Sequence, residues 1–184
     1  MLKESENPPT TWPKETSIRQ FSGLWWAAHT KTRNEKALAW ELARKGISYF
    51  LPMRWKVHYL RGRKLRSLLP LFSGYLFFCG TEQQRIEMLK TNRVVNLLEV
   101  NDQRKLLNEL LKIEQAINAG AALFPHKYIE RGQLCRVISG PMANLQGIIV
   151  RVGNASRLVL QIDMLGQAAS VEIDADMIEI IDKN

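Results

Sequence analysis

Short apolar runs alternate along the first two thirds of the chain with stretches of helical periodicity. Leu24-Trp25-Trp26-Ala27-Ala28-His29 predicts a central strand. Thr32-Arg33-Asn34-Glu35 has the spacing of a capping box, in which a hydroxyl and a carboxylate satisfy free amides at a helix start. A helix to Lys45 follows, with Leu38 and Leu42 on one face, Trp40 on the other and Gly46 as its left-handed stop. Ser48 to Pro52 predicts a second strand, with its Pro52 at a bulge or edge because proline donates no ladder hydrogen bond. Met53 to Leu60 leads to the tip Arg61-Gly62-Arg63-Lys64-Leu65-Arg66, and Pro70-Leu71-Phe72-Ser73-Gly74 opens another strand, Tyr75-Leu76-Phe77-Phe78. Thr81-Glu82-Gln83-Gln84 announces a second helix with Ile86 and Leu89 on its buried face. Val94 to Val100 gives a further strand, and Gln103 to Asn118 a third helix, its apolar stripe made by Leu106, Leu107, Leu110, Leu111 and Ile117. The order implies an α+β domain with helices against an antiparallel sheet. Residues 119–131 lack amphipathic period and read as a linker.

The remainder has strand character only. Leu134 to Ile138 is broken by Gly140-Pro141, and a new strand starts at Gly147. Arg157 to Ile162, Ala169 to Ile173 and Met177 to Ile181 follow, separated by Gly153-Asn154, Leu165-Gly166 and Asp174-Ala175-Asp176. Five short strands in about fifty residues predict a small closed SH3-like β-barrel. The expected organisation is a disordered tail over 1–23, an α+β domain over 24–118, a linker over 119–131 and a barrel over 132–184.

Charge divides unevenly along the 184 residues. The net charge is +8, but the first hundred residues carry 17 lysines and arginines against 8 carboxylates, and the rest carry 9 against 10. The basic half is therefore the candidate for nucleic acid, through phosphate neutralisation and counterion release, and the barrel for protein. Cys79 and Cys135 stand far apart, outside any metal-ligand or disulfide pattern. His29, His58 and His126 occupy three separate contexts, and no P-loop, G-x-S-x-G or dinucleotide fingerprint occurs, so neither an enzyme nor a bound cofactor or metal is expected. The first 23 residues hold no apolar run long enough for a signal segment or membrane span, which predicts a cytoplasmic protein.

The stretch Gly132 to Val152, with Gly132, Arg136 pointing out, Val137 pointing in, Gly140, Pro141 and Gly147, resembles the KOW motif of transcription elongation factors and ribosomal proteins. Taken together with Trp25-Trp26, Phe50-Leu51-Pro52, the basic hairpin tip and Pro70-Leu71-Phe72-Ser73-Gly74-Tyr75-Leu76-Phe77 in that order, the chain resembles the NusG family of transcription elongation factors, closer to its specialised RfaH-like antiterminators than to the housekeeping member.

The resemblance implies an N-terminal domain that docks on the β′ clamp helices of RNA polymerase, bridges toward the β subunit and holds the clamp closed, suppressing pausing and termination, with an operon-specific role expected. The matching docking positions are His29, Phe72, Tyr75 and Phe77. Strand alternation leaves open whether Phe72 and Phe77 dock or belong to the sheet core. The family usually carries proline where Ser73 stands. Lys31, Arg33, Lys36 and Arg44 around the first helix, and Arg61, Arg63, Lys64 and Arg66 at the hairpin tip, match regions that lie near non-template DNA or the upstream duplex. The KOW domain is expected to take a small-subunit ribosomal protein or Rho. Val150, Val152, Val159, Ile162, Val171 and Ile173 favour its β form over a helical hairpin. A monomer is expected. The competing reading is a ribosome-associated RNA-binding KOW protein, disfavoured by the acidic lean of the barrel.

Overall fold

In the computed structural model, which describes residues 6–60, 62–130 and 132–181, the chain divides into two units, one up to Gln103 and one from Arg104. The sequence places this boundary in the 119–131 linker, so the third helix is the element on which the two divisions differ.

The first unit contains, in order, β1 (Thr11–Trp12), β2 (Leu24–Thr30), α1 (Glu35–Arg44), β3 (Ser48–Phe50), β4 (Met53–Leu60), β5 (Arg63–Pro70), β6 (Tyr75–Gly80), α2 (Glu82–Leu89) and β7 (Val94–Leu98). Five of the strands form one antiparallel sheet in the order β1-β3-β6-β2-β7, and β4 with β5 forms a separate two-stranded ribbon. Trp25, Trp26, Ala27 and Ala28 of β2 are all buried. Both faces of that strand are covered, which is why its sequence reads as a continuous apolar run instead of an alternating one.

On one face Trp26, Ala28, Tyr49, Leu76 and Phe78 pack with Leu38, Ala39 and Leu42 of α1 and Met88 of α2. Trp26 stacks on Phe78 at 5.0 Å, and each large side chain buried here contributes about 1.5–3 kcal/mol. Alternation assigns Trp25, Ala27, Phe50, Phe77 and Cys79 to the opposite face, and these are buried as well.

Local signals succeed unevenly. The Thr81 capping box forms in full, and Gly46 stops α1 with φ +67. The box expected at Thr32 does not form: Asn34 is the N-cap of α1, its side chain bonded to Thr32 O and Arg93 and not to the free amides of the helix, and the Glu35 carboxylate is engaged elsewhere. In α2 the buried residue is Met88, whereas Ile86 and Leu89 are exposed, so the helix is rotated from the face expected of it.

Residues 6–20 depart from the disordered tail expected over 1–23; residues 1–5 of that tail lie outside the described residues. Thr11 and Trp12 pair with Phe50 and Tyr49, Leu51 N–H donates to Thr10 O at 2.7 Å, Tyr49 Oη to Pro9 O at 3.1 Å, and Ile18 is buried. A proline-rich extended segment has no periodicity to detect, yet its carbonyls complete the free edge of β3.

The second unit contains α3 (Gln103–Asn118, its first residue at the boundary), β8 (Phe124–Lys127), β9 (Gln133–Val137), β10 (Gln146–Val152), β11 (Ala155–Ile162), β12 (Gln167–Ile173) and β13 (Ile178–Ile180). Its antiparallel sheet runs β13-β9-β10-β11-β12-β8. The β form expected of this region is the one present. Six strands replace the five expected, because Phe124–Lys127, read as linker, pairs with β12. Pro125 is tolerated there since β8 is an edge strand. Among the described residues β13 and β8 remain the two edges of the sheet, without the pairing that would close a barrel.

Candidate functional site

The second face of the first sheet ends in an aromatic pair. His29, near the end of β2, lies opposite Tyr75, at the start of β6, and their rings stack at 5.0 Å and 21°. Both side chains are half-buried. The turn that delivers Tyr75 is held at three points. Tyr75 N–H donates to Phe72 O at 3.1 Å and Thr30 N–H donates to Gly74 O at 2.8 Å; Gly74 N–H donates to Glu35 Oε1 at 2.7 Å. With φ +82 at Gly74 and the bond from Tyr75 back to Phe72, residues 72–75 have the pattern of a type II turn, which needs glycine at its third position. A Cβ on Gly74 would sit 3.6 Å from the His29 ring, so the turn backbone lies directly against that ring.

Phe72 and Phe77 do not share this exposure. They are 2% and 0% accessible and meet edge to face at 6.1 Å. Alternation along β6 already permitted this: Phe77 sits one pleat inward from Tyr75, and Phe72 folds back onto it. Of the four docking candidates the surface therefore presents His29 and Tyr75, with Phe72 and Phe77 as their buried support.

The basic candidates also separate. Lys31 is exposed, with Nζ donating to Asn92 Oδ1 at 2.8 Å, and Arg33 is exposed in a left-handed turn with φ +59. Arg44 is exposed on the last turn of α1. Lys36 is partly buried: its ammonium donates to Asn7 Oδ1 at 2.5 Å and to Leu68 O. Burial holds its pKa below the ordinary lysine value, against the opposing pull of Glu35. It is thus a tie between α1, the N-terminal segment and β5. Arg63, Lys64 and Arg66 are exposed on β5, and Arg61 lies outside the described residues.

Glu35 is the residue sequence reading misassigned. Its carboxylate, in a residue only 6% accessible, serves the Gly74 amide instead of a helix cap. A glutamate beside a helix start cannot reveal a partner 39 residues away.

Residues 23–113 match a family model described as "Transcription termination factor nusG". The chain carries a NusG-family domain. A search of curated proteins finds no match. Among solved structures, "Crystal Structure of MjSpt4:Spt5 complex conformation B" aligns at 17% identity, covering 87% of this chain and 98% of that one, with a TM-score of 0.29. The match to the NusG family encloses His29, Tyr75, their supporting turn and the whole β4–β5 ribbon. Among the described residues, no helix is long and apolar enough to cross a membrane.

Beyond the NusG-family domain, the residues read as a KOW motif play distinct structural parts. Val137 is buried and Arg136 faces outward, its guanidinium 3.2 Å from Glu179. Gly140, at φ +79, and Pro141 make the turn. A Cβ on Gly147 would come within 2.6 Å of the Val159 carbonyl, and one on Gly132 within 2.3 Å of the Ile148 side chain. Both glycines are there because the neighbouring strand or side chain occupies the space. Leu158, Val159, Leu160 and Ile162 are buried, so the Arg157 to Ile162 strand is largely core.

Proposed function

We propose that this protein is a transcription elongation factor that docks on RNA polymerase through the His29–Tyr75 end of its NusG-family domain. The contact is with the β′ clamp helices, with a bridge toward the β subunit, and the outcome is suppression of pausing and termination on particular operons. The observation that carries the reading is a half-exposed, stacked aromatic pair fixed by a buried carboxylate within a NusG-family domain. An aromatic surface on a rigid sheet end gains contact area with little loss of side-chain entropy, which is what an interface hot spot needs. Binding that favours the closed clamp would shift its population without bond chemistry, by no more than the difference in affinity for the two states.

Lys31, Arg33 and Arg44, with Arg63, Lys64 and Arg66, would add contacts to DNA phosphates on the non-template strand or upstream duplex. The KOW domain would then be left to recruit a small-subunit ribosomal protein or Rho.

The test is capture of RNA polymerase, and of its β′ clamp-helix fragment, by the full chain, together with readthrough of a terminator. His29→Ala and Tyr75→Ala should each weaken capture by about tenfold or more and lower readthrough. Unfolding free energy should change by under about 1 kcal/mol for either variant. Unchanged capture by both variants would refute the docking assignment.

A further inference from the structure

The first sheet is covered at one edge and open at the other. Along β3 the N-terminal segment supplies the short strand β1. On the opposite side β7 is the last strand, and among the described residues no further strand pairs with its outer edge. An open ladder accepts any extended chain, so edge strands are normally blunted by charge or proline. Val94-Val95-Asn96-Leu97-Leu98 contains neither. The ladder to β2 skips Val95, a bulge that leaves this side chain 61% accessible.

Apolar surface continues beside the edge. Ile86 and Leu89 of α2 are exposed and share a helix stripe with Arg85. The hydrogen bond to Glu82 raises the Arg85 pKa and the Glu99 charge adds to it, so this stripe faces the end of β7.

The flanks of the strand decide what fits it. Outward from Asn96, two apolar residues on each side lead to Arg93 in one direction and Glu99 in the other. Antiparallel pairing of this segment with itself about Asn96 therefore sets Arg93 against Glu99 of the second copy, and the two-fold axis repeats the contact. Parallel pairing in register would set like charges opposite one another. Arg93 is held beside the edge by Glu41 Oε2, which accepts from its Nε at 2.8 Å, and by Asn34 Oδ1, which accepts from its Nη1 at 2.9 Å.

We propose that β7 pairs antiparallel with β7 of a second copy of this chain, joining the two sheets across a two-fold axis at Asn96 with Ile86 and Leu89 flanking the seam. Any other partner would have to supply the order of apolar and charged positions that the strand itself already carries. A seam of one short strand and one helix stripe is small, so the dimer forms by mass action as concentration rises, and the dilute chain is a monomer.

Sedimentation velocity of the full chain, from about 1 to about 200 μM, should show monomer passing into dimer. Val95→Lys and Glu99→Lys should each weaken association by about tenfold or more, the first by placing charge on the edge and the second by facing Arg93 with a like charge. Both side chains are exposed, so urea unfolding followed by tryptophan fluorescence should be unchanged in either variant. Asn96→Cys, at the axis, should give a disulfide-linked dimer on air oxidation. Asn154→Cys, also exposed but in the second unit, should not, and the buried Cys79 and Cys135 stay silent in both. A chain that remains monomeric over the whole range overturns the proposal. A dimer that Val95→Lys and Glu99→Lys leave unweakened, or in which Asn96→Cys links no faster than Asn154→Cys, places the contact elsewhere and overturns it too. A monomer that captures a different protein, and loses it in Val95→Lys, assigns the edge to another partner and refutes self-pairing.

Discussion

Replacing Glu35 tests whether a buried carboxylate sets the geometry of the docking end. Its Oε1 accepts the Gly74 amide at 2.7 Å, and the residue is 6% accessible. Glu35→Ala removes the acceptor of that part-buried amide. Hydrogen bonds to charged groups contribute about 1.5–3 kcal/mol, and an unsatisfied buried donor costs a comparable amount, so the loss should be near 2–3 kcal/mol. Glu35→Gln keeps an acceptor of the same length without the charge and should recover about half. The readout is favourable. All five tryptophans, Trp12, Trp25, Trp26, Trp40 and Trp55, lie before Gln103, so tryptophan fluorescence follows the first unit alone during urea unfolding. For a unit of this size the alanine variant should also melt roughly 10 °C lower. If Glu35→Ala unfolds within about 0.5 kcal/mol of wild type, the carboxylate does not hold the turn. If it destabilises by the expected amount but leaves polymerase capture intact, the turn is not the device that presents His29 and Tyr75.

Three further outcomes follow from particular contacts. Ser73→Pro should stabilise the first unit by about 0.4–1 kcal/mol, since proline suits the second position of a type II turn and stiffens the unfolded chain; destabilisation in the same fluorescence assay would contradict the turn assignment. Gly147→Ala should destabilise the second unit by about 1–3 kcal/mol, because the added methyl would meet the Val159 carbonyl at 2.6 Å, and amide exchange at Ile148 and Val159 should accelerate first. Burial, followed by the charge of Asp163, raises the Glu109 carboxyl to about 7, opposed by the Asp163 amide and by Lys105 and Lys112. Folded Glu109 thus holds its proton between its ordinary 4.5 and about 7, where the unfolded chain releases it, so the second unit should lose stability as pH rises through that window. Asp163 resists burial and is held below its ordinary 3.8 by Lys105 and the Tyr128 hydroxyl, which acts only at lower pH. Denaturation at pH 5 and pH 8 checks this, with Glu109→Gln expected to remove the difference.

What the sequence made legible was local. Period and turn chemistry locate the strand at Trp25–Trp26, the first helix with its start read at Thr32 where the cap is Asn34, the helix after Thr81, and the stops at Gly46 and Gly120, because each is decided within a few residues. Contacts that close over long separations were not legible. The edge strand at Thr11–Trp12 exists only because β3 offers it a ladder, and Phe124–Lys127 becomes a strand only against β12. The rotation of α2 that exposes Ile86 and Leu89 has the same origin: helix periodicity offers a face, and the surrounding packing decides which one is buried. Closure of the second sheet was expected from strand number, which says nothing about whether the last strand reaches the first.

The candidate site shows the same division and constrains how it can be probed. Resemblance pointed to four residues, and burial splits them into a presented pair and a supporting pair. Phe77→Ala would cost about 3–5 kcal/mol as a core deletion, a large share of the roughly 5–15 kcal/mol that holds an ordinary domain folded. Lost polymerase capture in that variant would report unfolding as readily as docking. Only substitutions at His29 and Tyr75, where the rings are partly in water, can separate the two. An interface built this way fixes its aromatic surface with residues that belong to the core, so their sequence pattern serves folding and recognition at once and cannot by itself say which of them a partner touches.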